Sequence, residues 1–502
     1  MQNDNGDNSG KNKNANNTND KFTQISSHTN NLSHELDNSQ LKTNDTGRAG
    51  RRRLSLNRDW TQGSILNNLL TLAWPVVVSN SLNMLGPTID MIWVGKLGAS
   101  SMAAVGLSGQ IVMVGNALLM GLFTSLRAMV ARRIGEGNEE GANHAFQQAF
   151  IIGIVFSALM AIIGFFLSRN IIGLFGAEPD VVKEAISYNR IQFVSMVTMC
   201  MRMMTEATMQ ASGDTKTAMW IGVCFRTLHI TLCPFLVFGW WIFPNLGVSG
   251  AALTGVISQA LGGAAGLWIL LTGHSRLHIS FKGFKIDPDN IWRQVKIGIP
   301  SSINQMLRTF LSLLITKIIV PFGTFSLASY VLVQRIDGFL DVGASAVGNA
   351  AGALAGQNLG ARKPERAEKT GWLAVGLATG TMTIISIAIL IWADKVVRIF
   401  NTNPGVVTLA STLIRIATVN YIVIAPASVL TSCLNQVGDT MIPLFASLAT
   451  MWGIQLPLAY FLPKIFNNGV FGVMWAMVIA LSVRAIAYLI YFRTGKWKHR
   501  LV

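Results

Sequence analysis

Charge is what this chain of 502 residues has least of. Asp, Glu, Lys and Arg make up 13% of it, where soluble proteins carry roughly 25%. That shortage argues against the string of water-soluble domains that the length alone suggests. Cysteine is scarce as well. Cys200, Cys224, Cys233 and Cys433 lie in apolar runs without a CxxC spacing, so they neither staple a domain nor form a familiar metal site. No phosphate loop of the G-x-x-x-x-G-K-S/T type, zinc motif or catalytic triad occurs. The reading is therefore a non-enzyme without cofactor or metal, whose only visible energy source is an ion gradient. The first fifty residues have few large apolar side chains and hold twelve Asn. Such a stretch cannot bury enough surface to offset its ordering entropy, so 1–60 reads as a disordered polar tail. It has no apolar run of the signal-peptide kind.

Hydrophobic residues, by contrast, reach 51%, and mean hydropathy is +0.43. The net charge is +16. The surplus is scattered between long apolar runs and not gathered in one patch, which argues against a nucleic-acid partner. Twelve apolar segments are each long enough to cross a bilayer, which takes about 20 residues. They fall near 65–94, 101–130, 145–168, 187–210, 218–242, 248–272, 291–321, 326–355, 371–392, 411–433, 441–462 and 470–492. Period-2 alternation is missing, so helices are the structure that satisfies their backbone in lipid. Basic residues crowd alternate loops: Arg51–Arg53 and Arg58, Arg132 and Arg133, Arg276 to Lys296, Arg362 to Lys369, and Arg493 to Arg500. Positive charge marks the cytoplasmic side, so both termini are expected there, with the protein in the cell membrane.

The second half repeats the first at an offset of 225 residues. Pro75 falls on Pro300, Gly98 on Gly323, Gly135 on Gly360, Phe175 on Phe400, and Gly213-Asp214-Thr215 on Gly438-Asp439-Thr440. After a slip of three residues, Gly247-Val248-x-Gly250 returns as Gly469-Val470-x-Gly472. Six helices were duplicated. An even number makes both copies enter from the same side, so two lobes around a central cavity are expected, 61–275 with helices 1–6 and 276–502 with helices 7–12.

These motifs resemble those of the multidrug and toxic compound extrusion (MATE) transporters. The resemblance lies in Leu72-Ala73-Trp74-Pro75 through Asp90-Met91-Ile92-Trp93-Val94-Gly95, in the two Gly-Asp-Thr turns, and in Gly356-Gln357-Asn358-Leu359-Gly360-Ala361. It covers about residues 60–495. It implies an all-α membrane protein of twelve helices in two pseudo-symmetric six-helix lobes, and cation-driven antiport that exports organic compounds. A carboxylate fifteen residues after the helix 1 proline, here Asp90, implies the DinF-like branch.

Asp90 is the first candidate for coupling, because a carboxylate inside a span is expensive and usually functional. Asn83, Gly86 and Asp90 share a helix face. Pro87 cannot donate to the Asn83 carbonyl and clashes with it, so the helix is expected to be able to bend there. The plainer alternative pairs Asp90 with Lys96 near the helix end. Helix 5 departs from the family. Where the pattern is Asn-x-x-Asn-x-x-x-Asp-Pro, this chain has Arg226, His229, Cys233 and Pro234. A thiol and a guanidinium make a poor sodium site, which favours proton coupling with His229 able to titrate. The alternative is that Arg226 bridges Asp90 and His229 only hydrogen-bonds.

Helix 4 places Arg202 and Glu206 four apart. They neutralise each other, or Glu206 meets a cationic substrate. The methionines around them suit a promiscuous cavity or simple packing. In the second lobe Asp337 and Asp341 share a face, with Arg308, Lys317 and Arg335 as candidate partners, or they contact substrate. Ile315, the repeat partner of Asp90, is apolar, so the first lobe holds any single coupling acid. Asp214 and Asp439 are read as helix caps, Gly213, Gly438, Gly135 and Gly360 as turn glycines, and Pro75, Pro87 and Pro300 as hinge positions. The function that follows is proton-coupled export of small, cationic, amphipathic compounds by a monomer in the bilayer. Sodium coupling, flipping of lipid-linked saccharides and a non-transporting receptor or channel are the alternatives.

Overall fold

A computed structural model describes residues 58–173, 178–401, 403–466 and 469–500. The tail through residue 57, with Arg51–Arg53, and Phe175 lie outside the described residues. Among those described there is no strand, and membrane-length helices follow one another along the chain. The first lobe comprises α1 (Ile65–Gly95), α2 (Ala99–Gly135), α3 (Glu139–Gly173), α4 (Pro179–Ser212), α5 (Thr215–Phe238) and α6 (Val248–Leu271). The second comprises α7 (Pro288–Ile319), α8 (Thr324–Gly360), α9 (Pro364–Phe400), α10 (Pro404–Gln436), α11 (Met441–Ile465) and α12 (Val470–Arg493). Ten of these twelve are long and apolar enough to span a bilayer on composition alone. The exceptions are α4 and α8, which carry more polar residues, among them the buried Arg202, Glu206, Gln357 and Asn358. On the outside, Phe166 is 70% exposed and Ile384 72%, which only an apolar surrounding makes favourable.

The duplication is visible in backbone conformation. Helices α2 and α8 both run 37 residues and end at the matched Gly135 and Gly360. Gly213 and Gly438 adopt left-handed φ of 94° and 90°, the conformation that ends a helix and that glycine reaches without a Cβ penalty. Gly247 and Gly469 share φ 54° with ψ −131° and −130°. The prolines do not break their helices: α1 runs through Pro75 and Pro87, and α7 through Pro300. The break falls elsewhere. Trp392, where the apolar run of helix 9 stops, has non-helical φ −108° and ψ 21°, and α9 continues beyond that kink to Phe400. In α11, residues Leu448–Gln455 form a wide π-helical turn.

The lobes are fastened at the end that carries the basic loops. A buried apolar cluster there joins Leu69, Leu72 and Ala73 of α1 to Ala350, Leu354 and Leu359 of α8. Beyond the midplane the buried clusters of the two lobes are separate: Val94, Val105, Tyr188 and Val237 belong to one, and Leu311, Ile315, Tyr330 and Val473 to the other. Gly135 and Gly360 explain the fastening. They are not turn residues, since neither has positive φ; the left-handed positions are Gly137 and Arg362. A Cβ on Gly135 would collide with the Gln357 carbonyl, and one on Gly360 with the Arg132 carbonyl. Their missing side chains let α2 and α8 cross backbone to backbone. Gln357 Nε2 then donates to the Ala211 carbonyl at 2.7 Å. Higher up, Ser302 of α7 donates to the Leu118 carbonyl of α2 at 2.6 Å.

The linker between lobes is tied down on the first. Asp214 caps α5 through Thr217 N at 3.3 Å and accepts from Ser275 at 2.7 Å. Asp439 does not cap. Thr440 stands at the start of α11 without a side-chain cap. Asp439 accepts instead from the Tyr491 hydroxyl and pairs with Arg500 at 3.5 Å. Asp287 caps α7 through Asp289 N and Asn290 N and pairs with His144 of α3 at 3.1 Å.

Gly135→Ala should therefore cost about 1–3 kcal/mol by overpacking the crossing and lower the thermal unfolding temperature of the purified protein; an unchanged temperature would contradict the crossing. The Asn290 amide, then His144, hold the Asp287 carboxyl below the usual carboxylate range. A depressed folded value means the stabilisation is present at neutral pH and is lost as pH falls through that value. Asp287→Ala should destabilise at neutral pH, and the gap to the parent protein should close on acidification; a gap independent of pH would refute this.

Candidate functional site

In the first lobe, α1 and α5 bring together the residues that the sequence singled out. Asp90 and His229 are 8% and 5% exposed, with His229 Nε2 2.8 Å from Asp90 Oδ1. The Cys233 thiol donates to the same oxygen at 3.7 Å. Residues 226, 229 and 233 of α5 thus face residues 83, 86 and 90 of α1, as i, i+3/i+4 spacing dictates. Lys96 is not the partner of Asp90; its ammonium sits 4.5 Å over the Trp93 ring.

Arg226 does not bridge Asp90 either. Its guanidinium fills the space above Gly86, where a Cβ would collide with it. From there Nη2 donates to the Asn83 carbonyl at 3.4 Å. That carbonyl is the one Pro87 leaves without a helical donor, because proline has no N–H. Gly86, Pro87 and Arg226 are therefore one device: a freed acceptor, room beside it, and a donor from the next helix. It is the carbonyl of Asn83, and not its side chain, that the contact uses.

Arg202 and Glu206 lie in α4. They pair at 2.7 Å, both nearly buried, and Gln210 donates to the other Glu206 oxygen at 3.0 Å. The Phe225 ring lies against both arginines, its centroid 4.4 Å from Arg202 and 4.9 Å from Arg226. Its negative π-faces soften the repulsion between them.

The second lobe holds a cavity of about 160 Å³ lined by Arg308, Asp337, Asp341, Asn420 and Arg484 among others. Asp341 accepts from Ser428 at 2.8 Å and faces Arg308 at 3.9 Å. Arg335 and Lys317 are exposed and line no part of it, so the five-charge network expected from the sequence reduces to a different set. Arg484 of α12 belongs to that set and was missed. An arginine in the middle of an apolar span was the available signal. Asn420 gave no such signal, because a lone amide in a helix is common.

The profile of the MatE family matches residues 75–235 and 300–461, one match in each lobe. The chain belongs to the MatE family. Among its relatives, the probable multidrug resistance protein YoeA of Bacillus subtilis is 22% identical over 88% of this chain and 96% of its own length. The probable multidrug resistance protein NorM of Thermotoga maritima is 24% identical over 87% and 94%. A solved MATE structure in complex with MaL6 superposes with a TM-score of 0.82 at 22% identity, covering 87% of this chain and 97% of its own. This MatE protein is thus a multi-pass membrane transporter of the multidrug efflux class and not an enzyme. The break between the two profile matches, residues 236–299, takes in the end of α5, α6, the linker strapped to α3 and α5, and the start of α7.

Within this MatE protein, Arg202→Met should leave Glu206 as a buried carboxylate without its cation. Breaking a buried pair from one side costs about 3–5 kcal/mol. Thermal unfolding of the purified variant reads it; a parent-like midpoint would show that Glu206 is satisfied without Arg202.

Proposed function

We propose that the protein exports small organic cations in exchange for protons, with the Asp90–His229 pair as the proton carrier. The observation that carries this reading is the 2.8 Å contact between a nearly buried carboxylate and a nearly buried imidazole on different helices. The pair can take up and release a proton without solvent rearrangement around either group. Uptake on Asp90 removes its negative charge and weakens its hold on α5. Helix α1 then changes its tie to α5 beside Pro87, and α1 is also the helix that reaches across to α8 at the basic end. Substrate and proton are linked through that shared helix.

The donors around Asp90 favour a proton over sodium. A nitrogen and a sulfur contact its carboxylate, and Arg226 stands near; a sodium ion wants several oxygens and no neighbouring cation. The basic ends of the helices are assigned to the cytoplasm by the positive-inside rule, with both termini there, the protein in the cell membrane, and a single chain as the working unit.

Efflux of a fluorescent organic cation from everted vesicles, under separate proton and sodium gradients, tests the assignment. The proton gradient should drive transport and the sodium gradient should not. Asp90→Asn should reduce it to the level of empty vesicles with membrane insertion unchanged. His229→Gln keeps a hydrogen-bonding group but cannot titrate, and should flatten the pH dependence. Parent-like efflux by Asp90→Asn would end the assignment.

A further inference from the structure

The second-lobe cavity is lined by two arginines and two aspartates, and only one of each is paired. Arg308 and Asp341 form a loose ion pair at 3.9 Å, and Ser428 donates to Asp341. Asp337 Oδ1 is buried and faces the Tyr421 hydroxyl, but no cation or well-formed hydrogen bond completes it among the described residues. Asn420, 7% exposed, likewise presents an unpartnered Oδ1. Arg484 makes no hydrogen bond or ion pair among the described residues; it lies within electrostatic reach of Asp341, Arg308 and Tyr488. A buried polar group without a partner is costly, and native proteins keep few. Here acceptors that want N–H donors, and a guanidinium that wants an anion, border one space. The wide turn of α11 places Met451 and Gln455 on the cavity. Such turns cost helix geometry and recur at functional sites.

We propose that this cavity binds a zwitterionic headgroup, a molecule bearing an ammonium and a carboxylate on one carbon. Asp337 and the Asn420 carbonyl take the ammonium, and Arg484 takes the carboxylate in the two-pronged manner that a planar guanidinium allows. Arg308 and Asp341, already paired, hold the walls at zero net charge. A singly charged ligand leaves one of the two unmatched groups unsatisfied, so the site prefers molecules carrying both. The volume of about 160 Å³ suits a headgroup with one small apolar body, with Met451 and Met477 supplying adaptable packing. This goes beyond the export of organic cations by adding a zwitterionic class of cargo, and it rests on the transporter reading only in taking the cavity as a place where cargo binds.

The test is equilibrium binding to the purified full chain by calorimetry, with no gradient, so its outcome is independent of whether Asp90 carries the proton. Three compounds share one ring and differ only in charge: phenylalanine, phenethylamine and hydrocinnamate. Phenylalanine should bind about tenfold tighter than either singly charged analogue, the worth of one charge-assisted hydrogen bond. Arg484→Gln should weaken phenylalanine and hydrocinnamate and spare phenethylamine. Asp337→Asn should weaken phenylalanine and phenethylamine and spare hydrocinnamate. Equal affinity for all three, binding of none, or losses that do not follow the charge removed would overturn the proposal. The comparison of compounds on the unaltered chain stands even where a variant does not fold.

Discussion

A proline next to a buried carboxylate sets the terms for the first lobe. Pro87 takes away one helical hydrogen bond and Asp90, three residues on, adds a charge that lipid will not solvate. Both deficits lie on one face of α1, and both are met from α5: Arg226 donates to the freed Asn83 carbonyl, and His229 contacts the Asp90 carboxylate. The helix that is least able to satisfy itself is thus held by two polar contacts to one neighbour. Either contact can loosen without disturbing the buried apolar cluster that fastens α1 to α8. The polar ties lie on the part of α1 next to Pro87, between the apolar cluster shared with α8 and the smaller one that Val94 shares with α5 and α6.

The duplicated frame separates what geometry requires from what chemistry requires. Glycines at matched positions keep the same torsions to within a few degrees at 213 and 438 and at 247 and 469, because turn geometry is dictated by the frame. Gly135 and Gly360 are retained for a different reason: each stands against the other lobe's backbone, so the pair makes one crossing. The charged positions did not stay in register. Ile315 stands where Asp90 does, and Arg308 stands where Asn83 does. Asp214 caps its helix, while its twin Asp439 pairs with Arg500 and Tyr491.

The fold was legible because hydropathy, the repeat and the basic loops all report on the backbone, and lipid allows the backbone few solutions. The Asp90 face was legible for the same reason, since helical spacing fixes which side chains align. Partner choice was not. Nothing in the sequence decides whether Arg226 or His229 takes Asp90; that depends on the space above Gly86, which only the packed pair of helices defines. Asp439 read as a cap because its twin is one, and the ring hydroxyl that claims it comes from α12, about fifty residues later. Lys317 and Arg335 read as cavity charges because span boundaries say nothing of rotation about the helix axis, and both point outward.

The Asp90 cluster and the second-lobe cavity treat their charges differently, and that contrast bears on how the molecule divides its work. In the first lobe the charges beside Pro87 and on α4 are met locally: Arg202 with Glu206, Glu206 also with Gln210, Asp90 with His229, Arg226 with a carbonyl. A closed set suits a small mobile charge such as a proton, which needs no empty volume, only a pair whose contact changes when it arrives. In the second lobe Asp337, Asn420 and Arg484 leave their capacity unspent around a real volume. An open set suits a molecule, because its own polar groups complete the missing bonds. The low dielectric that makes an unmatched group expensive also makes its match strong. A lobe that keeps such groups unmatched pays in stability for affinity it has yet to use, which is what a binding chamber does and a purely structural bundle has no reason to do.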